Sequence, residues 1–252
     1  MNISFATYRL LILIWIGIAV AVFILLLRIN APYGRHASSK WGPLVDNHIA
    51  WLVMEFPALA VMLFCFMQVI SHSMIMGLMA GLFCFHYVNR VFIFPFRIHT
   101  KGKKMPLVIM LSAVFFNLVN TYFLGYYFLH FASYPDDYIK TPMFIAGCLL
   151  FIAGLIINWT ADNRLIHLRK RGETGYKIPQ GWLFSYISCP NLFGELIEWG
   201  GFALLCSNLP ALTFFIWTVA NLLPRALAHH RWYKENFADY PTERRAVIPF
   251  VL

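Results

Sequence analysis

Charge is what this chain has least of. Only 12% of its 252 residues are Asp, Glu, Lys or Arg, whereas 60% are hydrophobic and the mean hydropathy is +0.65. That leaves too little polar surface to cover a water-soluble globule. No Pro-, Gly- or Ser-rich linker and no polar stretch of domain size separates the apolar runs, so a single membrane-embedded domain over 1–252 is expected. Internal repeats and low-complexity tracts are absent as well. The five cysteines (Cys65, Cys84, Cys148, Cys189, Cys206) show no CxxC spacing, which argues against a disulfide framework or a zinc site. His229 and His230 are adjacent, so on a helix their side chains diverge by about 100°, and no metal is expected there. GxGxxG and the P-loop pattern are both missing, which means that any dinucleotide is held by side chains on helix ends instead of a Gly-rich turn. No Ser-His-Asp or Cys-His arrangement is apparent.

What the chain does have is apolar runs of membrane-crossing length. Measured against the roughly 20 residues that a spanning helix needs, they predict an all-α, polytopic membrane helical bundle. About seven transmembrane helices are expected, near 8–27, 50–70, 73–95, 106–131, 142–160, 192–207 and 209–224. The last two are short, and the Asn208-Leu209-Pro210 break between them leaves room for a re-entrant hairpin. The first run lacks the short core and cleavage site of a signal peptide and reads as a retained span. Placing the N-terminus outside and the C-terminus in the cytoplasm puts 17 of the 20 Lys and Arg on the cytoplasmic side, as the positive-inside rule requires. The rule serves a bacterial inner membrane and the endoplasmic reticulum equally. Nucleic acid is not an expected partner for the net charge of +9, because the loops are too short to house a nucleic-acid-binding fold. The basic stretches 158–191 and 225–252, interleaved with Asn, Asp, His and Tyr, instead form a donor-rich surface suited to a dinucleotide.

Ionisable groups inside spans are costly and mark functional sites. Glu55 lies five residues into the second span, in Trp51-Leu-Val-Met-Glu55-Phe-Pro57. Tyr87 and Arg90 share a face of the third, being three residues apart. A carboxyl in an apolar site can keep its proton and donate a hydrogen bond, and a phenol can do the same, so this pair could polarise a ketone oxygen. At the cytoplasmic end of the fifth span stand Asn158, Asp162 and Arg169. Asn191, Glu195 and Glu198 open the sixth at spacings of four and three, so one face could carry all three. Helix N-capping would be an ordinary role for Asn191.

These residues fall into a pattern. Lys177-Ile-Pro-Gln-Gly181, Asn191-Leu-Phe-Gly-Glu195-Leu-Ile-Glu-Trp199, Arg225, His229-His230-Arg231-Trp-Tyr233, Asp239-Tyr-Pro241 and Arg244-Arg-Ala-Val-Ile-Pro249-Phe250 together resemble the C-terminal half of the steroid 5α-reductases. Tyr33-Gly-Arg-His36, the Trp51/Glu55/Pro57 segment and Leu82-Phe-Cys-Phe-His-Tyr87 extend the resemblance into the N-terminal half. It implies a seven-helix enzyme that moves a hydride from NADPH to the β-carbon of a 3-oxo-4-ene steroid. Glu55 and Tyr87 would then contact the ketone as the catalytic pair, with Trp51 beside them in the substrate site. The nucleotide-binding positions would fall on Tyr33, Asn158, Asp162, Arg169, Asn191, Glu195, Arg225, His229, Tyr233 and Arg244. The N-terminal spans would form the substrate pocket and 158–252 most of the cofactor site. Lys177 stands where an Arg is expected, and Phe94 where close relatives carry a Tyr.

Conjugate hydride addition builds negative charge on the carbonyl oxygen, which preorganised donors in a water-poor pocket stabilise. The expected ligands are therefore NADPH and a hydrophobic steroid or related enone lipid, with membrane lipids around the bundle and no obligate protein partner evident. Other classes compete with this reading. They are a membrane methyltransferase of the isoprenylcysteine type using S-adenosylmethionine, a reductase of polyprenol or enoyl-CoA, and a non-enzymatic transporter or lipid-binding protein. The Glu55/Tyr87 pair argues against methyl transfer, which needs no ketone clamp.

Overall fold

The computed structural model describes residues 3–29, 34, 39–98, 102–168 and 175–252. Among the described residues, seven long helices form the bundle. They are α1 (Phe5–Arg28), α2 (Asn47–Val69), α3 (Met74–Arg97), α4 (Leu107–His130), α5 (Pro142–His167), α6 (Pro190–Cys206) and α7 (Leu209–Asn236). All but α6 are long and apolar enough to cross a bilayer; α6 has 17 residues. A two-stranded antiparallel ribbon, β1 (Leu44–Asp46) with β2 (Lys104–Pro106), ties the start of α2 to the start of α4 at the Lys/Arg-rich end. The Asp46 carboxylate caps α2 by accepting from the His48 amide at 2.9 Å.

The outer surface is apolar, as lipid contact demands. On α1 only Tyr8, Ile12, Trp15 and Ala19 are buried, one stripe at helical spacing, and residues such as Leu10, Leu13, Ile14 and Leu25 face outward. The chain is thus a multi-pass integral membrane protein. The α1 stripe packs on α7, where the Trp15 and Trp217 rings lie 4.5 Å apart, and the Tyr8 hydroxyl donates to the Phe123 carbonyl of α4 at 2.7 Å.

Lipid gives helices no hydrophobic reason to associate, so close packing must hold them, and small residues permit it. Gly147 and Gly154 on α5 face Gly201 and Gly194 on α6. A Cβ built on Gly147 would lie 2.5 Å from the Leu205 amide nitrogen, and one on Gly201 would lie 2.5 Å from that of Phe151; at Gly154 and Gly194 the clashes are also with backbone. This backbone-to-backbone seam brings Asn158 and Asp162 against the first turn of α6. Gly194→Ala should therefore force the helices apart and cost about 1–3 kcal/mol by overpacking, visible as a lower melting temperature in detergent. Gly17→Ala, on a surface with nothing within 4 Å, should leave melting unchanged, and equal melting of both variants would refute the seam.

Two helices run well past their expected ends. One is α5, expected to stop near 160, which continues to His167. The helix expected to end near 224 runs on to Asn236: Pro224 removes one backbone hydrogen bond but ends nothing, because Pro224 and Ala226 beyond it are buried against neighbouring elements. Between α6 and α7 a two-residue turn makes an antiparallel hairpin in which Ser207 takes the left-handed conformation (φ 45°) and Asn208 caps α7. The phenols of Tyr134 and Tyr138 donate to the terminal carbonyls of Cys206 and Leu205, at 2.6 and 3.1 Å. These bonds satisfy acceptors that a helix end leaves open.

Candidate active site

Between the helices lies a cavity of about 560 Å³, lined mostly by apolar side chains from α1, α2, α4 and α7. That is ample for one hydrophobic ligand with a few polar groups to orient it. Glu55, Tyr87 and Arg90 stand on its wall together with Asn117, Glu195 and Arg225. Trp51 and His229 also border it.

The local fold aims these groups inward. Tyr87 stacks on Phe83 at 4.7 Å and is almost fully buried. Just beyond it α3 opens into a π-helical turn, Asn89–Ile93, in which the Phe94 amide reaches back five residues to the Asn89 carbonyl. Such single-turn distortions recur at functional sites. Within it the Arg90 guanidinium lies over the Trp51 ring at 4.5 Å and the Phe94 ring at 5.0 Å, and reaches Glu55 Oε1 at 3.7 Å. Phe94, the position where a Tyr was expected, thus walls in Arg90. A half-buried cation between two aromatic faces, facing the Glu55 carboxyl and sharing the cavity wall with Glu195, is well compensated for its lost hydration.

Asn117 links the pair seen in sequence. Its side-chain nitrogen donates to the Met54 carbonyl at 2.6 Å and to Glu55 Oε2 at 3.3 Å, while its oxygen accepts from the Tyr87 hydroxyl at 3.3 Å. Glu55 and Tyr87, from different helices, are joined through one amide of a third.

The α5/α6 seam builds a second polar group. Asn158 Nδ2 donates to the Asn191 carbonyl at 3.0 Å and Asn191 Nδ2 to Asp162 Oδ1 at 3.1 Å. Asn158 Oδ1 is buried with no hydrogen-bond partner among the described residues. Cys189, not Asn191, occupies the N-cap of α6. The three polar residues share one face of α6 but meet different partners: Asn191 turns to Asp162, Glu195 to the cavity, and Glu198 to His86, whose Nδ1 lies 2.6 Å from its Oε1.

On α7, Arg225 Nε donates to His229 Nε2 one turn later, at 3.3 Å. Tyr233 lies a further turn on, buried and stacked on Tyr240 at 5.4 Å and 8°. Arg244 is also buried, donating to the Pro179 carbonyl at 3.2 Å and to Gln180 Oε1 at 3.4 Å. Neither lines the cavity; Tyr233 packs the C-terminal segment against α7, and Arg244 ties it to Pro179 and Gln180. Nearby the Ser188 hydroxyl meets the Tyr240 hydroxyl and His230 Nδ1, at 2.5 and 2.6 Å. Burial pushes the Tyr240 phenol above its usual range, so it stays neutral. Tyr33 and Arg169 lie outside the described residues.

The sequence profile described as 3-oxo-5-alpha-steroid 4-dehydrogenase matches residues 103–252, more than half of the chain. The chain belongs to that family. Among its relatives, steroid 5-alpha-reductase DET2 of Gossypium hirsutum is 40% identical over 93% of both chains. The 3-oxo-5-alpha-steroid 4-dehydrogenase 1 of Bos taurus is 39% identical over 94% of this chain and 93% of its own. DET2 of Arabidopsis thaliana is 40% identical over 98% and 97%. Membership makes the chain an oxidoreductase, and it suggests a nicotinamide cofactor.

The polar groups suit such a cofactor: the Asn158 oxygen lacks a partner among the described residues, and Asp162, Asn191, Glu195, Arg225 and His229 offer acceptors and donors within successive turns of α5, α6 and α7. Sequence reasoning did not single out Asn117 or the His86–Glu198 pair. An amide inside the apolar run Phe115-Phe116-Asn117-Leu118 was the signal for the first.

Proposed function

We propose that this chain reduces the 4,5 double bond of a 3-oxo-4-ene steroid to the 5α product, with NADPH as its cofactor. The observation that carries this reading is the hydrogen-bonded row Glu55–Asn117–Tyr87 on the wall of an apolar cavity that also reaches Glu195, Arg225 and His229. The matched relatives are named for that reaction, which adds weight.

In this reading the apolar lining from α1, α4 and α7 takes the steroid body and keeps water out, so that each hydrogen bond to the substrate is worth more than in solution. Tyr87 turns its one hydroxyl proton from the Asn117 oxygen to the ketone oxygen as the substrate binds, and Glu55, in its protonated form, presents the second donor. Both interactions strengthen as negative charge grows on that oxygen, the condition for lowering a barrier. Trp51 and Trp199 fix the ring system from the sides. Asn158, Asp162, Asn191, Glu195, Arg225 and His229 hold the nucleotide, with Tyr33, Arg169, Tyr233 and Arg244 completing or bracing that half. Reduced nicotinamide supplies the hydride. The N-terminal spans thus supply the ketone-facing groups, while 158–252 supplies most of the cofactor site and, through Trp199 and α7, part of the steroid pocket.

The direct test incubates detergent-solubilised protein and NADPH with a panel of 3-oxo-4-ene steroids, other enones and enoyl thioesters, with products identified by mass spectrometry. A 5α-reduced 3-oxosteroid is expected. Reduction confined to the other substrates, or no reduction of any, would overturn the reading. Selectivity for NADPH over NADH rests on Arg169, whose guanidinium suits a ribose 2′-phosphate. Arg169→Ala should raise the KM for NADPH far more than that for NADH, and equal increases would remove Arg169 from the phosphate.

A further inference from the structure

The Asn117 amide can be oriented without ambiguity. A backbone carbonyl only accepts, so the side-chain atom 2.6 Å from the Met54 carbonyl must be the nitrogen. Its other N–H then serves Glu55 Oε2, and its oxygen must face Tyr87, which therefore donates to it. The amide is buried, on the inward face of α4, and its links reach 30 residues to Tyr87 and 62 to Glu55. The two oxygens of Glu55 are divided between neighbours: Oε2 belongs to Asn117 and Oε1 lies toward Arg90 at 3.7 Å.

We propose that Asn117 is a positioning residue of the reduction: it ties the Tyr87 hydroxyl to the Glu55 carboxyl at one point of the cavity wall in the free enzyme, and the single phenol proton turns from its oxygen to the ketone when substrate binds. The inference rests on the reading of Glu55 and Tyr87 as the ketone-facing pair and adds to it the group that aligns them. The short bond to Met54 anchors the amide to the backbone of α2 beside Glu55, so α2, α3 and α4 share one reference point at the cavity wall. Without the amide, the Glu55 carboxyl loses the restraint that opposes Arg90 and swings toward the guanidinium, and the Tyr87 hydroxyl rotates freely. A donor displaced by about 1 Å costs on the order of 100-fold in rate, and the loss falls on turnover because the ketone becomes strongly charged only in the transition state.

The test is a double-mutant cycle in full-length, detergent-solubilised protein. Asn117→Leu is nearly isosteric and removes only the polar atoms; Asn117→Ala is the second variant. Turnover, KM for the steroid and the dissociation constant for NADPH, read from nicotinamide fluorescence, are measured in the parent and Tyr87→Phe backgrounds. Asn117→Leu should lower kcat by about 10- to 100-fold, with NADPH affinity unchanged within about twofold, and should cost less than about threefold more once Tyr87 is Phe. Full turnover in Asn117→Leu, or an equal loss in both backgrounds, overturns the proposal. Loss of NADPH binding in both Asn117 variants overturns it too, by making the residue a packing element. Full turnover in Tyr87→Phe alone is a separate result, which removes the donor pair itself and with it the unit that Asn117 would align.

Discussion

Tyr87→Phe is expected to lower turnover by about 100-fold or more, the scale of deleting one preorganised donor to a developing oxyanion, while leaving NADPH binding intact. The substitution removes one hydroxyl with little change of volume, and the ring keeps its stacking on Phe83 at 4.7 Å, so the helix bundle has no reason to move. Glu55→Gln retains a hydrogen-bonding group of the same length and should lose a similar factor. The double variant should be little worse than the poorer single one, because groups that act as a unit lose activity non-additively. Steady-state assays on protein saturated with NADPH decide this. Full turnover in Tyr87→Phe would leave Tyr87 as a packing residue against Phe83 and Trp199.

Glu55 and Tyr87 were legible in the sequence for a physical reason: a carboxyl or phenol within an apolar span must be compensated, and so stands out against its neighbours. The helices were legible because bilayer thickness fixes the length of an apolar run. Their ends were less so. Pro224 and the polar residues after it suggest a stop, yet burial beyond that point carries α7 to Asn236. Asn117 stayed hidden because its meaning lies in partners on two other helices, 30 and 62 residues away, which periodicity within one span does not reveal. Asn191, Glu195 and Glu198 share one face of α6, as their spacing predicts, but α5, the cavity and α3 each claim one of them, which spacing alone does not reveal. The unread signal was the seven-residue spacing of Gly147 with Gly154 and of Gly194 with Gly201. It marks two smooth stripes, and their contact is what sets Asn158 and Asp162 beside Asn191.

Glu198→Ala is expected to be the most destabilising single change in the bundle. Its side chain is fully buried, with Oε1 2.6 Å from His86 Nδ1 and Oε2 without a hydrogen-bond partner among the described residues. Removing the carboxyl leaves the His86 imidazole, itself 2% exposed, with its partner gone and a cavity beside it. Breaking a buried pair in this way costs about 3–5 kcal/mol, which for a chain of this size corresponds to a fall in melting temperature of roughly 10 °C. Glu198→Gln keeps one hydrogen bond and should cost far less. The joint replacement His86→Leu with Glu198→Leu removes both polar partners, and should recover much of the stability lost in Glu198→Ala, because an apolar pair needs no compensation for lost hydration. Activity should not recover fully with it: Trp199 lines the cavity and meets the His86 ring edge to face at 4.7 Å, so the leucine pair removes one of the aromatic contacts that hold this part of the cavity wall. Melting of the three proteins in detergent, with turnover measured on the same samples, separates the two roles. A Glu198→Ala protein that melts within about 2 °C of the parent would mean that the His86–Glu198 contact contributes little to holding α3 against α6.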